Sequence, residues 1–405
     1  MMRGGAHALD GCRIVIVTMT SWGEAGNWLS AKSLEATIAR ATPGCAVTVQ
    51  AADELVPAFA QTGQAIKAAT LNSRGPQERR NRYAAVLHAL GERFPRGFEE
   101  RPDGAPALEI SGLADWIAAT RPDLLIATKG VLCRALLAAT RLAGIRVPVV
   151  DYVTNHAHFA FEVHRCPGAR MHLVRLPDAK RFLEAECGFT PATVRVIGYL
   201  VAAQPLLSEA PAAVPGARAS LIVVSNRGGA EYVTMLRRLA PYAGELNLTF
   251  VALHDEQLQR SACAVAAAAG AESWQVVTHL DQAKLFGLMR QARTSPVCAL
   301  VCKASPNSIF EAAYFRLPMF LLRTGLPMEE WGADLVVRER LGVVAEDMDV
   351  LTSELLARLR DPRAMADLRA RLDAFAGRQL DQEQTIRLLI QALSDAVATA
   401  TAAPW

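Results

Sequence analysis

The chain has 405 residues, 51% of them hydrophobic and 20% charged, with a net charge of +3. That is too long for one ordinary domain and suits two; the composition excludes a disordered chain, and the small net charge argues against a nucleic-acid partner. No apolar run reaches the roughly 18 residues needed to span a bilayer, and 1–10 lacks an apolar signal core, so a cytoplasmic protein, soluble or peripheral at the inner face of the membrane, is expected.

Residues 13–19 form an apolar, β-branched run of strand length, 20–28 (T-S-W-G-E-A-G-N-W) a glycine-containing loop, and 29–40 a helical stretch. A loop after the first strand of an α/β domain lies at the carboxyl edge of the sheet, where ligands bind, so Gly23, Glu24, Gly26, Asn27 and Trp28 are candidate site residues. Residues 46–50 read as a second strand, and 67–98 mainly as a basic helix around 84–90. The segment 67–101 holds eight Lys or Arg, Arg79, Arg80 and Arg82 among them, against four Glu. A solvated helix face fits that charge, and so does docking on an anionic membrane or a phosphate-bearing acceptor.

A helix at 113–120, a turn and strand over 121–128 and a helix at 132–142 follow; the alternation argues for a parallel sheet. The strand at 147–150 runs into D-Y-V-T-N-H-A-H-F, 151–159. An acid and two histidines just beyond a strand end, Asp151, His156 and His158, form a candidate acid–base cluster. A strand at 194–197, closed by Gly198, completes the first half, and 204–219, rich in proline and small residues, reads as a linker.

The second half opens with a strand at 221–225 and the loop N-R-G-G, 226–229. Its N–H groups, at Asn226, Arg227 and Gly228, can face an anion, and the Arg227 guanidinium can neutralise it. Helices at 231–239, 257–269 and 282–291 alternate with strands at 248–253 and 274–280. Then comes C-A-L-V-C-K-A-S-P-N-S-I-F-E-A-A-Y-F-R-L-P-M-F-L-L-R, 298–323, which reads as strand, turn, helix, strand. Ser305 suits the cap and Pro306 the first helical position, with Ile309, Ala312 and Ala313 on the packed face. The free N–H groups and positive dipole end of that helix make an anion site, where Asn307 and Ser308 add donors. Glu311, three residues after Ser308, lies on the same face one turn deeper, placed to accept both hydroxyls of a ribose. A plain capped helix with an exposed Glu has the same spacing. Beyond it, T-G-L-P-M-E-E-W, 324–331, reads as a carboxyl-edge loop carrying Glu329 and Glu330, and 352–395 as two or three amphipathic helices. The eight cysteines form no C-x-x-C pair and sit mostly in apolar segments (Cys133, Cys263, Cys298, Cys302), which reads as reduced thiols and no metal site.

The run K-A-S-P-N-S-I-F-E-A followed by L-P resembles the donor-nucleotide motif of glycosyltransferase family 28, K-x-G-P-x-T-x-x-E-A followed by G-L-P. That family includes the monogalactosyldiacylglycerol synthases and the lipid II-forming N-acetylglucosamine transferase. Ser305 stands for the motif's glycine, Ser308 for its threonine and Arg316 for the glycine before Leu-Pro, with Lys303 matching the motif's lysine. Asp151, His156 and Phe159 match the family's T-D-x-x-x-x-H-x-x-W at the same spacing, whereas Lys129-Gly130 replaces a His-Pro pair and Asn27 the histidine of the glycine-rich N-terminal loop. Glu329 matches a family glutamate, with Met328 and Gly332 in place of the usual Gln and Asn.

The resemblance implies an α/β chain of the GT-B fold: two Rossmann-like, doubly wound parallel-sheet domains facing a cleft. The expected division is 1–203 for the acceptor domain, 204–219 for the linker, 220–375 for the nucleotide-sugar domain and 376–405 for a helix crossing back. It implies an inverting glycosyltransferase that uses a UDP-sugar as substrate, with no cofactor or metal. The acceptor would be a hydroxyl or phosphate of a lipid-linked or secondary-metabolite molecule. Lys303, Ser305, Asn307, Ser308, Glu311, Glu329, Glu330 and the 226–228 loop would hold the donor. Gly23, Gly26, Asn27, Trp28, His158, Phe159, Arg79 and Arg80 would hold the acceptor, with His156, Asp151 and Glu24 at the chemistry. A nucleotide-sugar epimerase of the same fold and a catalytically silent partner subunit remain open alternatives.

Overall fold

The computed structural model describes residues 7–20, 24–71, 78, 81–82, 85, 110–154, 166, 168–201, 217–225, 229–253 and 255–400. The chain divides into two compact units, Met1–Ala202 with Asp381–Trp405, and Ala203–Leu380. The expected boundary at 375/376 moves to Leu380/Asp381, because Phe375 and Ala376 are buried within a helix of the second unit. Ala219, expected in the linker, already opens a strand.

In the first unit the elements run β1 (Arg13–Thr18), α1 (Glu24–Ala41), β2 (Ala46–Ala51), α2 (Pro57–Leu71), α3 (Ser111–Thr120), β3 (Leu124–Ala127), α4 (Gly130–Leu142), β4 (Val149–Tyr152), β5 (Met171–Val174), α5 (Pro177–Cys187) and β6 (Val194–Val196). The second unit has β7 (Ala219–Val224), α6 (Ala230–Leu239), β8 (Leu246–Val251), α7 (Glu256–Ala268), β9 (Trp274–Val277), α8 (Gln282–Ala292), β10 (Cys298–Lys303), α9 (Pro306–Tyr314), β11 (Met319–Leu322), α10 (Pro327–Glu339), β12 (Gly342–Ala345), α11 (Met348–Leu359) and α12 (Pro362–Gln379). A last helix, α13 (Gln382–Ala400), belongs to the first unit.

Each unit holds a six-stranded sheet, in the orders β2-β1-β3-β4-β5-β6 and β12-β11-β10-β7-β8-β9, and the pairings are parallel. The continuous apolar strands follow from burial on both faces. In β1 the alternation of side chains sends Val15 and Val17 to one face, against Leu113 and Ile117 of α3 and Leu132 and Leu136 of α4. It sends Ile14 and Ile16 to the other, against Leu34 and Ile38 of α1 and Leu389 and Leu393 of α13. Each fully buried Leu or Ile contributes about 1.5–3 kcal/mol. The second unit packs Leu221, Val223, Phe250, Val301 and Phe320 against Tyr232 and Leu236 of α6 and Leu351 and Leu355 of α11. Helix starts are capped by Asp255, Asp281, Ser305, Asp347 and Asp361, whose side chains accept backbone N–H bonds.

Five elements differ from expectation. α1 begins at Glu24, so 24–28 is helix and not loop. β8 lies two residues earlier than the expected 248–253, and Leu253 takes a left-handed φ of 47°. β5 and β12 had no separate signal in the chain, and 324–331 is mostly the first turn of α10. The basic helix expected around 84–90 falls, except for Ala85, outside the described residues; within the segment Arg82 pairs with Glu78 at 2.6 Å. Among the described residues, no helix is long and apolar enough to cross a membrane.

β11 and β12 approach so closely at Gly342 that a Cβ there would lie 1.8 Å from the Met319 carbonyl oxygen. Gly342→Ala is therefore expected to cost about 3 kcal/mol, the upper end of the overpacking range. Urea unfolding should show it as an earlier transition of the second unit.

Candidate functional site

In the second unit the strand order reverses between β7 and β10. Open parallel sheets bind ligands outside the carboxyl ends of the strands at such a switch point. The turn from β10 into α9 stands there, next to the end of β7; residues 226–228 of the loop after β7 lie outside the described residues.

Ser305 holds an extended backbone (φ −73°, ψ 145°), and its Oγ accepts the Ser308 N–H at 3.3 Å. The two hydroxyls meet at 2.8 Å. Pro306 fills the first helical position, where no N–H is needed. Ile309, Phe310, Ala312 and Ala313 are fully buried, which fixes α9 on the sheet and leaves the Ser308–Glu311 side half-exposed. Glu311 Oε1 accepts from Gln282 Nε2, at the start of α8, at 3.3 Å.

Opposite, at the start of α10, Glu329 is 3% exposed. Its carboxylate takes Lys303 Nζ at 2.9 Å and the Thr324 hydroxyl at 2.5 Å. Glu330 instead pairs with Arg323. The expectation of a loop that presents both glutamates is corrected here. Pro327 starts a helix that turns Glu329 inward and ties Glu330 to the network of Arg323 with Asp334 and Glu346. Gly332 is required by packing, since a Cβ there would lie 2.4 Å from the Ala304 carbonyl and 2.6 Å from Ile309 Cδ1. Beneath the site, burial pushes the Cys302 thiol up to about 12, and the charges of Glu311 and Glu329 add to the shift. Two carboxylates thus flank one strand end, with Lys303 and the α9 start as the cationic features around it.

Arg316, in the place of the motif's glycine before Leu-Pro, has φ 58°. An arginine in this left-handed turn costs roughly 1–2 kcal/mol of conformational energy. The Arg316 guanidinium donates to the Ala313 carbonyl at 3.3 Å and the Tyr314 carbonyl at 2.5 Å, which satisfies the helix end.

In the first unit, Asp151 sits within β4 and not beyond its end. It is fully buried, and the His172 Nδ1–H of neighbouring β5 donates to its Oδ2 at 3.0 Å. His172 in turn packs on the Phe189 ring at 4.2 Å. Asp151 is thus a core carboxylate engaged by His172, a partner no sequence spacing pointed to. His156, His158 and Phe159, like Gly23, Arg79 and Arg80, lie outside the described residues. Glu24 is the first residue of α1, and Gly26 follows in its first turn. Asn27 is buried, and its side-chain amide meets Thr154 Oγ1 at 3.3 Å. Trp28 carries Lys32 Nζ over its ring at 5.3 Å. Among the described residues, no group of three or more His, Cys, Asp or Glu is arranged to hold a metal ion.

No protein-family model matches the chain, and no curated protein matches it in sequence. Solved structures do. MurG of Acinetobacter baumannii superposes with a TM-score of 0.56 at 15% identity, over 94% of this chain and 99% of that one. The glycosyltransferase SnogD from Streptomyces nogalater gives 0.53 at 14%, over 96% and 100%. UDP-GlcNAc 2-epimerase from Neisseria meningitidis, bound to UDP-GlcNAc, gives 0.55 at 11%, over 96% and 100%.

Asp151→Ala should destabilise the first unit by about 3–5 kcal/mol, the range for removing one partner of a buried pair. Thermal unfolding measures the loss, and calorimetry should show unchanged nucleotide affinity in the folded variant. The architecture itself is plain: two Rossmann-like, doubly wound parallel sheets, shared with those structures as the GT-B fold.

Proposed function

We propose that the chain is an inverting glycosyltransferase resembling family 28, which moves a sugar from a UDP-linked donor to a lipid-linked or small-molecule acceptor. The observation that carries this reading is the Ser305-capped start of α9 at the switch point of β7 and β10, with Glu311 one turn deeper. The α9 N–H groups, Asn307, Ser308 and Lys303 receive the diphosphate, helped by Asn226, Arg227 and Gly228. Glu311 accepts the ribose hydroxyls. Lys303 is already held by Glu329, so a bound diphosphate shares that cation with a buried carboxylate.

The reaction is a direct displacement. The acceptor oxygen attacks the anomeric carbon as the diphosphate leaves, and dipoles and cations at the α9 start stabilise the charge that develops on the leaving group. No metal enters the scheme. The first unit supplies the acceptor site and the base from its carboxyl edge. Docking on anionic lipid through 67–101, at the inner face of the membrane, rests on the sequence alone.

Glu311→Ala is expected to weaken UDP binding by about 1.5–3 kcal/mol, the range for hydrogen bonds to a charged group. Titration calorimetry with UDP tests it, and an unchanged affinity would remove Glu311 from the donor site. A labelled sugar that changes stereochemistry while still attached to its nucleotide would replace transfer by epimerisation.

A further inference from the structure

Resting on that reading, which puts the acceptor at the carboxyl edge of the first sheet, we propose that the Lys129 amine takes the proton of the acceptor hydroxyl there. In the first unit the strand order reverses between β1 and β3, so this edge is the switch point of that sheet, the counterpart of the donor site's position in the other. Lys129 stands two residues past the end of β3, at the N-terminal boundary of α4, with an extended backbone (φ −150°, ψ 144°).

Its neighbours are pinned from three sides. The Thr128 N–H donates to the Val17 carbonyl at 3.1 Å, and its hydroxyl to Thr18 Oγ1 at 2.9 Å, which ties the ends of β1 and β3 together. The Thr154 hydroxyl, just past β4, donates to the Thr128 carbonyl at 3.0 Å. In the turn after β2, Asp53 Oδ2 accepts both the N–H and the hydroxyl of Thr20, each at 2.7 Å. Thr20 is exposed, so the edge opens to solvent there.

Asp53 is the charged group that bears on Lys129. Desolvation pushes the Lys129 ammonium down to about 8, while the Asp53 carboxylate opposes that shift. Asp151 on β4 is occupied by His172. A lysine in this range is a free amine for part of the time near neutral pH, which is what a general base for a hydroxyl requires. In the step, the hydroxyl proton passes to the Nζ lone pair while the acceptor oxygen bonds the anomeric carbon. The bond from that carbon to the diphosphate breaks, its electron pair leaving on the phosphate oxygen. Asp53 is the positioning residue: it stabilises the ammonium that forms.

The test uses the full chain with UDP-glucose, UDP-galactose and UDP-GlcNAc, water serving as the acceptor, and follows UDP release from about pH 6 to 10. The wild type is expected to speed up as pH rises through about 8 and the amine is freed. Lys129→Ala should lose about 10²–10⁴-fold, and added methylamine should restore part of it. Lys129→Arg, charged throughout, should be equally slow without rescue, and its thermal midpoint checks the fold. Asp53→Asn removes the charge that favours the ammonium, so its profile should move to lower pH. UDP affinity should be the same in all of them. Full activity and an unchanged pH profile in Lys129→Ala, or loss of the pH-dependent rise in His156→Ala alone, would overturn the proposal and leave the donor site standing. A wild type that binds UDP but releases none from the three sugars would do the same. A wild type that does not bind UDP would overturn both readings.

Discussion

In each unit the strands run parallel and bury both faces, so apolar side chains fill both pleats and polar groups gather at the carboxyl edge. Everything with chemical potential in this protein follows from that constraint. Thr18, Thr20, Asp53, Thr128 and Thr154 gather at one such edge, and Lys303, Ser305, Glu311 and Glu329 at the other. One exception is Asp151, a carboxylate inside a strand, and it is tolerated because His172 on the next strand donates to it.

The turn from β10 into α9 shows how side chains can settle a backbone where the resembled motif has glycine. The motif's glycine becomes Ser305, whose backbone is extended and needs no left-handed freedom, and the serine adds a cap. Arg316, before Leu-Pro, takes a left-handed φ, and the arginine's own hydrogen bonds to the helix end offset part of the strain. Gly332, in the place of a usual asparagine, admits no side chain because the Ala304 carbonyl presses against it. At Ser305 and Arg316 the local backbone is satisfied by the side chain present; at Gly332 no side chain fits.

The fold was legible because its signals are local. The runs at 13–18, 298–303 and 319–322 are apolar over strand length, and Ser305-Pro306 states a helix start in two residues. What failed was decided by distant partners. Asp151 read as a strand-end acid because nothing in the order of residues reveals His172, 21 positions away. The loop expected at 324–331 contains Pro327, which serves as the first residue of a helix as readily as a turn residue. Lys129 carried no signal beyond replacing a histidine in a motif, and only the fold brings the Asp53 charge to bear on it.

The return of the chain to the first unit depends on two further contacts that fix where its last helix begins. The chain leaves that unit at Ala202 and re-enters at Asp381. Both passages meet at Gln382, whose amide donates to the Tyr199 carbonyl and accepts the Val201 N–H, each at 2.8 Å. One turn on, Thr385 lies where a Cβ on Gly198 would come within 2.4 Å, and Gly198 holds φ 90°. An amide can satisfy a donor and an acceptor of the same departing strand at once, which a carboxylate cannot. The register of α13 is therefore set at its first residue, and Leu389, Leu393 and Ala396 fall onto the face of the sheet that holds Ile14 and Ile16. The 19 residues of α13 add Leu389, Ile390, Ala392, Leu393 and Ala396 to the core that β1 and α1 begin.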